Sequence, residues 1–190
     1  LAPLISTALQ QAGTSVKDLD LVVCGIGPGS FTGTRIGIAT ALGMTVRPHC
    51  GLIGVSGLDA AGHRLRFFPG IVVPLIDARK GRVYSAFYRS GQRLTSFLDE
   101  SPERIFDRLK LYPTVLLTGP AAPSLYELWT ESTRFKLDHS SDLAETNGLI
   151  ALGVERYARQ AVRRVTPRPA YLRPSEAELA RQRSPITIGR

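Results

Sequence analysis

Leu19-Asp20-Leu21-Val22-Val23-Cys24 runs directly into Gly25-Ile26-Gly27-Pro28-Gly29-Ser30-Phe31-Thr32-Gly33-Thr34-Arg35-Ile36-Gly37. The first six residues form a strand, apolar enough to be buried on both faces. Gly25 to Gly29 is a turn, and Ser30 or Thr32 caps a helix that continues to about Val46. Free backbone N–H groups at such a turn make a natural anion cradle. The nucleotide patterns nevertheless fail. A dinucleotide fingerprint needs Gly where Ser30 stands, and a P-loop needs Gly-Lys-Ser/Thr where Gly33-Thr34-Arg35 stands. A nucleophile elbow fails at Pro28 and Thr32 around Ser30, and at Leu58 after Ser56.

Packing explains the helix better. Gly33, Gly37 and Ala41 share a face at i, i+4, i+8, and Thr40 and Gly43 widen it. Each glycine costs about 0.8–1 kcal/mol against Ala in a helix interior. Several together point to a close backbone approach, either by the chain's own sheet or by a helix of another molecule.

Outward from this stretch the elements alternate. Leu1, Leu4, Ile5, Ala8, Leu9 and Ala12 form the stripe of a helix ended by Gly13. Leu52–Val55 is a strand and Gly57–Leu65 a helix. Ile71–Asp77, Val83–Tyr88 and Gln92–Leu98 read as three antiparallel strands, turned at Arg79-Lys80-Gly81 and Ser90-Gly91. A helix opens at Ser101-Pro102-Glu103. Thr114–Thr118 is a strand, Ser124–Trp129 a helix, Arg134–Leu137 a strand, and Asp142 to about Arg164 a long helix. Residues 165–190 read as extended, with a short helix at Glu176–Arg183. The second part is therefore β-β-β-α-β-α-β-α, and the first is the same order without its opening three strands. The fold class is α/β: a duplicated ribonuclease-H-like arrangement of the actin, Hsp70 and sugar-kinase group, with mixed sheets and a truncated first lobe. The lobes are expected at 1–67 and 68–190.

Composition narrows the function. The chain has 190 residues, 43% apolar and 21% charged, which excludes disordered, fibrous and collagen-like classes. Ile71–Ile76 is far short of the roughly 20 apolar residues that span a bilayer. The first residue is Leu, with no signal-peptide pattern after it, and the chain reads as one that has lost its beginning. Cys24 and Cys50 read as reduced residues of a cytoplasmic protein. The net charge of +8 comes almost wholly from Arg, which favours a polyanionic partner without identifying one.

Catalytic candidates are weak. His49, His63 and His139 lack the His-x-x-x-His spacing that aims two imidazoles at one ion, and read as solvent or cap residues. Asp77 reads as a partner of Arg79 or Arg82. Arg156, Arg159 and Arg163 share a helix face that reads as solvated; contact with nucleic-acid phosphates is the functional alternative. No catalytic residue, metal ligand or cofactor is expected.

Gly27–Gly37 closely resembles the signature of the TsaB (YeaZ) family. Ile53-Gly54-Val55-Ser56-Gly57-Leu58, Ile76-Asp77-Ala78-Arg79-Lys80-Gly81-Arg82-Val83-Tyr84 and Pro169-Ala170-Tyr171-Leu172-Arg173 agree with it in order. The family's opening strands, with their Leu-Ala-Ile-Asp-Thr-like segment, are missing. The resemblance implies a two-lobed, actin-like, non-catalytic subunit needed to make N6-threonylcarbamoyladenosine in tRNA. It implies the metal-bearing transferase TsaD as heterodimer partner, the ATPase TsaE as a further component, a homodimer when alone, and tRNA reached through the complex. It places the partner interface on the first helix and the helix after the turn: Leu1, Leu4, Ile5, Ala8, Ser30, Phe31, Thr32, Gly33, Arg35, Ile36, Gly37, Thr40 and Ala41. The alternative is a stand-alone enzyme of the actin-like group, either an ATP-dependent phosphotransferase or a glycoprotease-like hydrolase.

Overall fold

The computed structural model describes residues 1–46, 49–129, 133–139, 142–159 and 166–172. The expected helix at Glu176–Arg183 lies outside them.

Helix α1, Ala2–Gln11, ends where Gly13 takes a φ of 64° and the Thr14 amide returns to the Leu9 carbonyl. A short 3-10 turn, Val16–Asp18, leads into β1, Leu21–Gly25. Helix α2, Phe31–Met44, is capped by Ser30, whose hydroxyl accepts from the Gly33 amide at 3.2 Å. Of the two cap candidates, Ser30 is the one used. β2, Gly51–Val55, pairs parallel to β1 from Leu21↔Gly51 to Gly25↔Val55, and α3, Gly57–Arg64, follows.

One face of this pair packs on α2 through Cys24, Leu52, Ile38 and Ala41. The other packs on α3 and on α6, Asp142–Arg159, through Ile53, Val55, Ala60 and Leu152. β1 was expected to be buried on both faces, yet Leu21–Val23 are only half-buried. Among the described residues β1 pairs with β2 alone, so its second edge lacks the covering strand that full burial requires.

The second sheet is centred on β3, Ile71–Asp77. The two strands expected after it are each split. β4, Val83–Ser85, and β5, Tyr88–Arg89, pair antiparallel with the carboxyl and amino halves of β3. β6, Gln92–Arg93, pairs with β5, and β7, Leu98–Glu100, pairs with β4. The first break lies opposite Pro74 of β3, which has no N–H to give the ladder, since the register from Leu75↔Ser85 to Val72↔Tyr88 is continuous. The second lies across from Phe87. Its amide donates to the Thr95 hydroxyl at 3.2 Å, so a side chain replaces a ladder carbonyl. Parallel strands complete the sheet: β8, Val115–Thr118, beside β3, and β9, Phe135–Leu137, beside β8.

Alternate residues of β3 face opposite layers. Ile71, Val73 and Leu75 pack against α4, Pro102–Leu109, and α5, Ala122–Leu128. Val72 packs with Tyr88 and Ala86 against Leu58 of α3. Burying each such aliphatic side chain is worth about 1.5–3 kcal/mol. Three antiparallel strands, then parallel additions on the other edge of β3 with helices on both faces, make the ribonuclease-H-like arrangement of the actin group. Helix α3 lies between the two sheets, with Ala60 toward the first and Leu58 toward the second.

Candidate functional site

Helix α1 buries none of its side chains, and Leu1 and Leu4 are 56% and 72% exposed. Ile5 is half-buried and Ala8 exposed. Ala2, Ile5, Ser6 and Leu9 of α1 face Thr40 and Met44 of α2 across a groove of about 370 Å³, floored by Thr14, Ser15 and Val16. The two helices therefore present one continuous surface. On α2 it includes Thr32, Gly33 and Ile36, the last 51% exposed.

The small-residue face of α2 divides by height. Ala41 is 5% exposed and packs beneath, against Cys24 and Leu52. Gly37 and Gly43 look outward, and a methyl group at either would meet no atom of the described residues within 4 Å. The chain's own sheet thus accounts for Ala41 and not for the two glycines. Thr40 is half-buried, its hydroxyl donating to the Ile36 carbonyl at 2.8 Å.

The first turn of α2 is held by a segment more than 130 residues further along the chain. Thr166–Leu172 crosses the end of the first sheet, where the Ala170 amide donates to the Ile26 carbonyl at 2.8 Å. Pro167 is buried against Gly54, where a Cβ would lie 2.9 Å from the proline's own. Tyr171 stacks on Phe31 at 4.9 Å between ring centres, and its phenol oxygen accepts from Arg35 Nε at 2.8 Å. The Arg35 guanidinium carbon stands 3.8 Å from the centre of the Phe31 ring. Only the Pro169–Arg173 motif pointed to this contact, and a motif does not reveal what it touches.

Between the Gly-rich turn and the second sheet lies a cleft of about 360 Å³. It is lined by Pro28 to Phe31, Ile76 to Lys80, Tyr84 and Ala170 to Leu172. Asp77 in it accepts from the Arg79 amide at 2.7 Å and pairs with the Arg79 guanidinium at 3.7 Å. Arg82 pairs with Asp99 instead. Arg79, Lys80 and Gly81 all take positive φ, which presents the two cations at the hairpin tip.

One of the three histidines falls differently from expectation. His49 and His139 are exposed, but His63 is buried between α3 and α6, 3.5 Å from Glu155. Burial pushes its pKa below the ordinary value, and Arg66 adds to this against the opposing pull of Glu155. Arg156, read as part of a solvated face, reaches Asp59 on α3 at 3.1 Å. Arg159 pairs with Glu155, and Arg163 lies outside the described residues. Among the described residues, no three His, Cys, Asp or Glu side chains cluster closely enough to hold a metal ion. No helix among them is long and apolar enough to cross a membrane.

A family model described as "TsaD: tRNA N6-adenosine threonylcarbamoyltransferase" matches residues 1–162. The tRNA threonylcarbamoyladenosine biosynthesis protein TsaB of Escherichia coli is 41% identical over 91 residues, covering 47% of this chain and 39% of that protein. TsaB of Bacillus subtilis is 33% identical over 87 residues, covering 46% and 38%. The crystal structure of a Pseudomonas aeruginosa protein similar to peptidase YeaZ superposes with a TM-score of 0.67 at 27% identity, covering 91% of this chain and 82% of that one. The chain spans less than half the length of the curated relatives it matches. It belongs to the TsaD threonylcarbamoyltransferase family and, within it, is of the TsaB/YeaZ type.

Proposed function

We propose that this chain is a non-catalytic subunit required for tRNA N6-threonylcarbamoyladenosine formation in the cytoplasm. It acts by binding and activating a TsaD-type transferase. The contact is the joint surface of α1 and the outer face of α2: Leu1, Leu4, Ile5, Ala8, Thr32, Gly33, Arg35, Ile36, Gly37 and Thr40. Ser30 caps the contact helix, Phe31 orders its first turn, and Ala41 anchors it to the sheet from below. The lobes divide at 67/68, with α6 returning from the second to cover the first. A TsaE-type ATPase joins the complex, tRNA is reached through it, and the surface self-associates when the transferase is absent.

One observation carries this reading: Gly37 costs helix stability at a position where the described residues leave open space. A helix glycine of that kind allows another helix backbone to approach closely. Exposed Leu1, Leu4 and Ile36 supply apolar area around it. No cofactor is assigned to the cleft at Asp77, whose carboxylate is engaged by its own turn.

The test is reconstitution. The full-length form is combined with the transferase, the ATPase, threonylcarbamoyl-AMP and unmodified tRNA, and the modified adenosine is assayed. Omission of the chain, or Gly37→Leu, is expected to abolish product. Product that ignores both would return the stand-alone enzyme reading.

A further inference from the structure

Helices α1 and α2 together carry a single charged side chain, Arg35. Everything else on their joint surface is apolar or uncharged. Among the described residues Arg35 has no carboxylate partner. It is nevertheless held in place, because its Nε is occupied by the Tyr171 phenol oxygen and its plane lies over Phe31. Among the described residues the two terminal nitrogens make no hydrogen bond, and the residue is exposed, so both are open to an outside acceptor. A guanidinium fixed in this way has already lost much of its rotamer freedom, so it meets a planar acceptor at low further cost.

We infer that Arg35 takes a carboxylate of the partner protein in a bidentate pair, and that Tyr171 is the positioning residue that aims it. The inference rests on the reading of the α1–α2 surface given above. A carboxylate is favoured over nucleic-acid phosphate by the composition of the two helices, the cations Arg79 and Lys80 standing on the hairpin side of the cleft that Phe31 and Tyr171 line. Backbone binding to nucleic acid draws on several cations at once. One Arg set in an uncharged two-helix face is the composition of a protein interface core. The strap Thr166–Leu172 thereby couples the partner surface to the end of the first sheet, through Ala170 on Ile26 and Pro167 on Gly54.

The experiment measures affinity of the full-length protein for the transferase by calorimetry at two or more salt concentrations. Arg35→Gln is expected to weaken binding about tenfold or more and to flatten its salt dependence. Tyr171→Phe keeps the stacked ring and removes only the hydroxyl; it is expected to weaken binding about threefold. In the Arg35→Gln background the same change has no further effect, since the pair acts as a unit. Arg35→Lys does not restore full affinity, because a point charge cannot make the bidentate contact. A thermal melt of Tyr171→Phe within a few degrees of the parent shows that the loss is one of aim.

Unchanged affinity for Arg35→Gln, while Ile36→Arg abolishes binding, would overturn this inference and leave the surface reading standing. Unchanged affinity for Ile36→Arg would remove the surface reading itself. Additive losses for Arg35→Gln and Tyr171→Phe would overturn the positioning role. A loss seen instead in titration of tRNA against the chain alone would assign Arg35 to nucleic acid and overturn the carboxylate.

Discussion

Gly62 and Gly37 are both helix-interior glycines, and their surroundings give opposite predictions. A methyl group at Gly62 would lie 2.3 Å from the Tyr88 ring, which is 1% exposed and anchored by its hydroxyl on Asp59 at 2.9 Å. The ring has nowhere to retreat, so Gly62→Ala is expected to cost about 1–3 kcal/mol in urea unfolding. At Gly37 nothing is in the way, and Gly37→Ala is expected to stabilise the isolated chain by about 0.8–1 kcal/mol while weakening its hold on the transferase. A glycine kept for the chain's own packing would show no such opposition. His63 supplies a pH test. Its pKa is lowered in the folded state, so the unfolded chain binds more protons below the unperturbed value of about 6.5. Stability is therefore full above that pH and falls as pH drops through it, and His63→Gln is expected to flatten the decline between pH 7.5 and 5.5. The groups facing His63 are Glu155, Arg66, Arg156 and Arg159.

Among the elements, α1 and α2 separate stability from binding. Leu4 and Ile36 stand in solvent, so Leu4→Lys and Ile36→Arg are each expected to change unfolding free energy by less than about 0.5 kcal/mol. Both are expected to lower transferase affinity by an order of magnitude or more, checked by titration calorimetry on variants with matched melts. The start of α2 was legible because Ser30 follows a Gly-rich turn and precedes a helical run. The order of the second sheet was legible because Ser90-Gly91 and Arg79-Lys80-Gly81 punctuate it, and both turns take the positive φ angles those residues allow. The breaks within its two hairpin strands were not. Val83 to Tyr88 is covered on both faces, so its residues carry no alternation, and its break depends on Pro74 of the neighbouring strand, while that of Gln92–Leu98 lies at the Thr95 hydroxyl bonded to Phe87. The strap was hidden for a similar reason: Tyr171 meets Arg35 across 136 residues, beyond the reach of any local pattern. His63 looked like a cap because its burial is supplied by α6, nearly a hundred residues on.

At the scale of the whole molecule, α3 fastens the two sheets. Asp59 receives the Tyr88 hydroxyl, Arg93 at 3.3 Å and Arg156 at 3.1 Å. One carboxylate thus joins α3, the β5–β6 hairpin and α6. Arg64 on the same helix reaches Asp138 and Thr118 beside β8. Asp59→Ala strands two cations and a phenol; because both guanidinium groups are partly exposed, the expected cost is about 2 kcal/mol. Faster proteolysis between α3 and β3 would accompany it. A rigid body suits a subunit that offers a fixed surface, and α1 and α2 lie on the outside of the first sheet, away from this junction. The measurement that bears most directly on that role is threonylcarbamoyladenosine formation with the purified transferase, the ATPase, threonylcarbamoyl-AMP and unmodified tRNA, with and without the full-length form of this chain. The account predicts product only when the chain is present, and its loss with Ile36→Arg in a protein that melts normally. Undiminished product without the chain, or with that variant, would contradict it.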